Sequence, residues 1–260
     1  VAGSSFPTLT NNSAQWPTLT AGADCVALST GNTIRGFNFG DVGAANTAIV
    51  GSGFVTLTVN DAAIATNGQA LNLINGTLNA TFGSVSSSGG LNNVRLVTIA
   101  GTVDLGGSGA LTGAGSGVAF VVNGGTGAIT YGGSITAGVL VDIQSHGTGN
   151  ITLSGALSST SGNPGINIAN NTSGTITLSG ASKVVTSAAN PAVVLSNNTG
   201  ATINFTDGGL AINTTGGTGF SATGGGTVNV TGSGNTITSG SGTALNVANT
   251  TIGASGLIFQ

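Results

Sequence analysis

Six aspartates, one histidine, one cysteine and three cations are all that the chain offers for acid–base, nucleophilic or metal chemistry. The acids are Asp24, Asp41, Asp61, Asp104, Asp142 and Asp207, and the cations are Arg35, Arg95 and Lys183. Cleaving a polysaccharide needs two carboxyl groups roughly 5–9 Å apart, one to protonate the leaving oxygen and one to attack or to activate water. Carboxylates clustered around Ca²⁺ are the other common device. Here the acids lie 17 to 65 residues apart in sequence, so only the fold can pair them. His146, in Gln144-Ser145-His146-Gly147, has no cysteine or carboxylate beside it. It reads as an exposed corner residue rather than a metal ligand or a triad member. Cys25 is alone, can form no intrachain disulfide, and reads as a small buried apolar side chain. Gly224-Gly-Gly226 lacks the lysine and the following helix of a phosphate loop. The expectation is a protein without a catalytic centre, cofactor or metal.

The elements that carry these residues are dictated by an unusual composition. Charged residues make up 3% of 260, against about a quarter in an ordinary soluble domain. There are 48 glycines, and glutamate is absent. Exposed helix positions are normally filled by Glu, Lys and Arg, so a helical protein is excluded. Three cations cannot neutralise a phosphate backbone, which excludes nucleic acid as a partner. Glycine has no three-residue period, which excludes collagen. The hydrophobic fraction of 39% argues against disorder. Gly, Ser, Thr or Asn interrupts every apolar run before the roughly 18 residues of a membrane helix, so no membrane insertion is expected. Val1-Ala-Gly3 shows neither a basic nor an apolar leader region, which suggests a processed chain or a piece of a longer one.

A repeat dominates the pattern. Gly149-Asn-Ile-Thr-Leu153, Gly174-Thr-Ile-Thr-Leu178, Ala201-Thr-Ile-Asn-Phe205 and Gly226-Thr-Val-Asn-Val230 are variants of one segment. The series Leu78, Val103, Ile129, Ile151, Ile176, Ile203 and Val228 advances by 22 to 27 residues. So does Val26, Ile49, Leu71, Val94, Val118, Val141, Ile166, Val193, Phe220 and Leu245. Ile135, Leu157, Val184, Leu210 and Ile237 form a third series. Alternation such as Ile166-Asn-Ile168 marks short strands with one buried face. Gly and Asn between them supply corners with positive φ. Three short strands per coil of about 24 residues, over roughly ten coils, predict an all-β fold, a right-handed parallel β-helix. Its length would be roughly 50 Å at about 4.8 Å per coil. Residues 1–25, with Phe6-Pro-Thr-Leu-Thr10 repeated as Trp16-Pro-Thr-Leu-Thr20, read as a modified first coil or partial cap. Residues 26–260 read as β-helix repeats ending in mid-coil, on the apolar Leu257-Ile258-Phe259.

Asn32-Thr-Ile-Arg-Gly-Phe-Asn-Phe39, Gly68-Gln-Ala-Leu-Asn-Leu73, Ala244-Leu-Asn-Val247 and Thr251-Ile-Gly-Ala-Ser-Gly-Leu-Ile-Phe259 resemble the strand repeats of bacterial autotransporter and giant-adhesin passenger regions. The resemblance covers essentially the whole chain. It implies a secreted, extracellular or cell-surface β-solenoid that adheres or assembles.

Two surfaces follow as candidate sites. The first is an outward column on the second strand, read as Thr77-x-Asn79, Thr102-x-Asp104, Ala128-x-Thr130, Asn150-x-Thr152, Thr175-x-Thr177, Thr202-x-Asn204 and Thr227-x-Asn229. Stacked Thr and Asn make side-chain ladders that stabilise a sheet. The same array resembles the face of β-solenoid ice-binding proteins, although Thr175-x-Thr177 alone has both threonines. The second surface is an assembly interface formed by Phe6 and Trp16 of one copy and Leu257, Ile258 and Phe259 of the next. Charge normally blocks edge-to-edge pairing, and here almost none is present. The expected function is structural, as a filament subunit or adhesin stalk whose partner is a further copy or further repeats of a longer chain. A carbohydrate-binding or carbohydrate-cleaving β-helix, with surface glycans as partner, is the alternative.

Overall fold

A computed structural model describes residues 16–115, 117–159 and 164–260. Phe6 and the first Phe-Pro-Thr-Leu-Thr segment lie outside them. The described regular structure is all strand. The strands wind through about nine turns of a β-solenoid, and each pairs in parallel with its counterpart one coil away. The first sheet stacks Val26, Ile49, Leu71, Val94, Phe120, Val141, Ile166, Val193, Phe220 and Leu245. The second stacks Ile34, Val59, Ala80, Val103, Ile129, Ile151, Ile176, Ile203, Val228 and Ile252. The third runs through Ser87, Leu111, Ile135, Leu157, Lys183 and Leu210. Along each strand every second side chain faces the axis, as in the buried–intermediate alternation of Thr202–Phe205. The inward columns form one continuous core, in which Ile151, Ile176 and Ile203 are at most 2% exposed. Burying one such side chain contributes about 1.5–3 kcal/mol.

Three column assignments shift by one alternation and a fourth by one residue: in the third series Ile237 pairs with Ile212 rather than Leu210, and Lys183, not Val184, pairs with Leu157 and Leu210. Val141 and Val94 both pair with Phe120, not Val118. Val103 pairs with Ala80, and Leu78 with Gly101. A slip of two residues keeps every side chain on its face, so periodicity cannot detect it.

The corner after the first sheet has a fixed backbone requirement. Gly53, Asn75, Thr98, Gly124, Ser145, Asn170, Asn197, Gly224 and Asn249 occupy it in successive coils, all with positive φ. Gly and Asn adopt that conformation at low cost. Their amides continue the ladder: Ser145 N–H donates to Ala169 O at 3.0 Å and Asn170 N–H to Ser196 O at 2.9 Å. In the early coils the turn does not interrupt the strand, so Thr47–Thr66 and Gln69–Ser87 each run around two corners.

Candidate assembly face and lateral ladder

The acids are dispersed, and most of their contacts tie neighbouring coils together. Asp24 accepts Thr47 N–H at 2.7 Å and Asp41 accepts Asn67 N–H at 2.9 Å. Asp61 pairs with Arg35 at 2.9 Å. Asp104 accepts Gly106 N–H at 2.9 Å and the Thr130 hydroxyl at 3.1 Å. Asp142 Oδ1 accepts Asn167 Nδ2 at 2.7 Å and Gln144 Nε2 at 2.8 Å. Among the described residues no group of three or more His, Cys, Asp or Glu is placed to hold a metal ion. A shallow groove of about 300 Å³ beside the third sheet contains a single carboxylate, Asp41, with Thr66, Thr112, Ala110 and Ser86–Ser88. No aromatic ring lines it, and Tyr131, a possible platform for sugars, is 1% exposed.

Chemistry-bearing side chains turn inward at the corners, where sequence reasoning did not look for them. His146 was expected to be exposed and is instead 1% exposed. It follows Ser145 as Asn171 follows Asn170 and Asn198 follows Asn197, so the three stack one coil apart inside the same corner. Asn171 Oδ1 accepts His146 N–H at 2.9 Å, and Asn198 Oδ1 accepts Asn171 Nδ2 at 2.8 Å. His146 Nδ1 lies 3.2 Å from Gly124 O, which places a proton on Nδ1. The shared offset at spacings of 25 and 27 was the available signal.

At the next corner Lys183 takes a core position in line with Leu157 and Leu210. Its Nζ donates to Gly180 O, to Thr206 O at 2.8 Å and to Gly208 O at 2.7 Å. Burial pushes the ammonium below the usual lysine range, and the Asp207 carboxylate offsets part of that shift. Asn235 does similar work two coils on, donating to Gly232 O at 3.1 Å and Ile258 O at 3.0 Å. At the third corner the Thr214 hydroxyl donates to Gly217 O at 2.8 Å and the Ser239 hydroxyl to Gly242 O at 2.8 Å. Carbonyls that turn away from the sheets thus find buried donors, as backbone groups removed from water must.

The outward column exists, with a corrected register. Thr102 pairs with Asn79 and Asp104 with Thr81, while Thr77 lies opposite Ala100. From there the pairing runs Asp104–Thr130–Thr152–Thr177–Asn204–Asn229 and Thr175–Thr202–Thr227–Thr251. Its amides and Asp104 bond to one another, to a neighbouring hydroxyl or to the adjacent backbone. Asn229 Nδ2 donates to Asn204 Oδ1 at 2.9 Å, and Asn150 Oδ1 accepts Thr175 N–H at 2.9 Å.

Trp16, half-buried, sits in the first described coil, while Leu257, Ile258 and Phe259 lie together in the last. In that last coil Thr236–Ser239, Leu245–Ala248 and Thr251–Leu257 each pair on one side only among the described residues. The core columns therefore continue into the open. Leu245 is 44% exposed where Phe220 above it is 0%, and Ile252 is 52% exposed where Val228 is 1%. Ile258 is 44% exposed, and the Phe259 ring packs edge-on to Phe220 at 5.7 Å. In the second sheet a bulge separates the Val228–Ile252 and Val230–Leu257 pairs. At the opposite end Thr18–Leu19, Val26–Ala27 and Asn32–Arg35 pair only toward the rod's interior among the described residues.

No family model, curated protein or solved structure matches the chain. The class rests on the fold: this is a β-solenoid repeat protein.

Proposed function

We propose that the chain is a structural, non-catalytic solenoid that serves outside the cell as a filament subunit or adhesin stalk, extended by stacking coil on coil. The observation that carries the reading is the unbroken stack of parallel strands, in which the first-sheet column runs from Val26 to Leu245 and each coil pairs with the next in the same way. In the last described coil three strand edges pair on one side only among the described residues, and Leu245 and Ile252 are 44% and 52% exposed where Phe220 and Val228 above them are buried. Such edges are templates for further strands, and apolar columns reward whatever covers them. A contact between unlike ends does not close on itself and gives open fibres. The dispersed carboxylates support a non-catalytic role.

Negative-stain electron microscopy at increasing protein concentration tests this. Rods one molecule wide and many molecules long are expected, and Ile252→Asp should keep the single-molecule rod but shorten the fibres. Isolated rods at every concentration, or fibres unchanged in Ile252→Asp, would overturn the proposal.

A further inference from the structure

We infer that the outer face of the first sheet is a pairing surface for a second copy of this chain, lying antiparallel to the first about a two-fold axis at Val121. The pairing is lateral, so it is independent of whether rods also stack end to end.

The lateral faces are unlike. The second sheet carries the Thr/Asn ladder, whereas Val50, Ile74, Val97 and Val121 point outward from the first sheet and are half-buried. Arg95 and Asp142 stand in the same outward column as Val121, and they are its only charged side chains among the described residues. Neither forms an ion pair among the described residues. Arg95 Nη1 turns back to Asn72 Oδ1 at 3.0 Å, and Asp142 Oδ1 accepts the amides of Gln144 and Asn167.

The order of this column is self-complementary. Arg95 lies one coil before Val121 and Asp142 one coil after it. Asn72 and Asn167 stand one coil further out on either side. Val50 and Val194 stand one coil beyond those. Read outward from Val121, the column meets opposite charges, then like amides, then like aliphatics.

Two copies of one face meet by a half-turn about an axis lying between them. An axis along the strands reverses the order of coils and keeps each column facing itself. Centred on Val121, it sets Arg95 against Asp142 of the second copy and Asp142 against its Arg95, with valine on valine between the two ion pairs. Packed sheets lie about 10 Å apart, a gap that an arginine and an aspartate span together. Such sheets cross at about 30°, which displaces groups one coil from the axis by only about 2.5 Å.

Other arrangements strand the charges. A shift of one coil sets Asp142 or Arg95 on Val121 of the other copy, twice per dimer. A half-turn about the rod axis exchanges the columns and sets Arg95 on Val97 and Asp142 on Gln144. Each removes a charge from water without an opposite charge to meet it. Over seven matched coils the Val121 arrangement covers roughly 1,000 Å² in total, the lower bound for a specific interface. The dimer is therefore a weak, reversible one.

Charge exchange tests this. In sedimentation velocity the unaltered chain should dimerise reversibly as its concentration rises toward about 1 mM. Arg95→Asp and Asp142→Arg should each dimerise at least about tenfold more weakly, because like charges then face each other. An equimolar mixture of the two restores both ion pairs and should recover the unaltered affinity, as should Arg95→Asp/Asp142→Arg in one chain. A second measurement does not depend on how the charge variants fold. Val121→Cys in a Cys25→Ser background should join to itself through a short bifunctional thiol reagent. Asn167→Cys in the same background should not, since its two copies would lie four coils, about 19 Å, apart. A monomer at every concentration, or association that both single charge variants leave unchanged, overturns the proposal. Loss in the single variants without recovery in the mixture, or equal cross-linking at Val121→Cys and Asn167→Cys, overturns the register at Val121.

Discussion

Replacing Lys183 with methionine tests whether a buried ammonium holds a corner of the coil. The side chain is 1% exposed and occupies a core position between Leu157 and Leu210. Methionine keeps the apolar stem and removes the donor. The carbonyls of Gly180, Thr206 and Gly208 then lose this partner. Each costs about 1–3 kcal/mol if it stays dry. Against that, the variant no longer buries an ammonium, which itself costs several kcal/mol. The expected balance is a loss of about 3 kcal/mol, the three carbonyls left without this donor outweighing the relieved burial of the ammonium. The damage should be local, since each coil contacts only its neighbours. Hydrogen exchange read by mass spectrometry should show faster exchange over residues 180–210, including the Lys183 amide that donates to Gly209 O at 2.8 Å. Peptides over Val94–Asp104 should exchange as in the unaltered protein. A Lys183→Met protein with unchanged or higher urea resistance and full protection at that corner would refute the reasoning.

Asn198→Ala leaves Asn171 Nδ2 without its 2.8 Å acceptor and Ile168 O without its 2.8 Å donor; a loss of about 2–4 kcal/mol is expected in urea unfolding, against less than about 0.5 kcal/mol for exposed Asn213→Ala. Tyr131 is buried, and its hydroxyl donates to Val85 O at 3.0 Å. Burial raises its pKa well above the usual tyrosine range. The unfolded chain therefore loses this proton first, and the contribution is full below about pH 10 and declines as pH rises beyond it. Tyr131→Phe should be less stable by about 1 kcal/mol at pH 8, and the gap should close or reverse near pH 11; a constant gap would contradict the assignment. Val55 is β-branched, 61% exposed, and held at φ 61°. Val55→Gly should raise stability by about 1 kcal/mol by relieving that conformation, and a fall in melting temperature would show that the corner is unstrained.

The three-sheet coil was legible because each sheet leaves a period-2 trace and each coil a 22–27-residue recurrence. What sequence alone could not supply was absolute register. In Val118-Ala-Phe-Val-Val122 two apolar residues of the same parity compete for one column, and the larger Phe120 takes it against Val94 and Val141. Leu78 and Ala80 also share a parity, and there the smaller Ala80 takes the position opposite Val103. His146 reads as an exposed corner and Val184 rather than Lys183 as the core residue for a different reason. A histidine or lysine in a Gly-rich turn suggests solvent when only its neighbours in sequence are considered. His146 and Lys183 are buried because backbone groups one coil away need partners. The apolar Leu257-Ile258-Phe259 run was evident, but only the structure shows that it shares its face with Leu245 and Ile252, and that Trp16 lies at the far end.

The corners also explain how such a rod can keep its gauge. Successive first-sheet columns are separated by as few as 21 residues, from Phe120 to Val141, and as many as 27, from Ile166 to Val193, yet the strands pair one to one. The surplus residues are taken up at the corners. Length is therefore counted in coils, one strand spacing of about 4.8 Å each, and residues added at a corner widen the rod without lengthening it. A molecule built this way measures distance in discrete steps. Duplicating or deleting one whole coil changes its reach by one step and leaves the two end faces as they were.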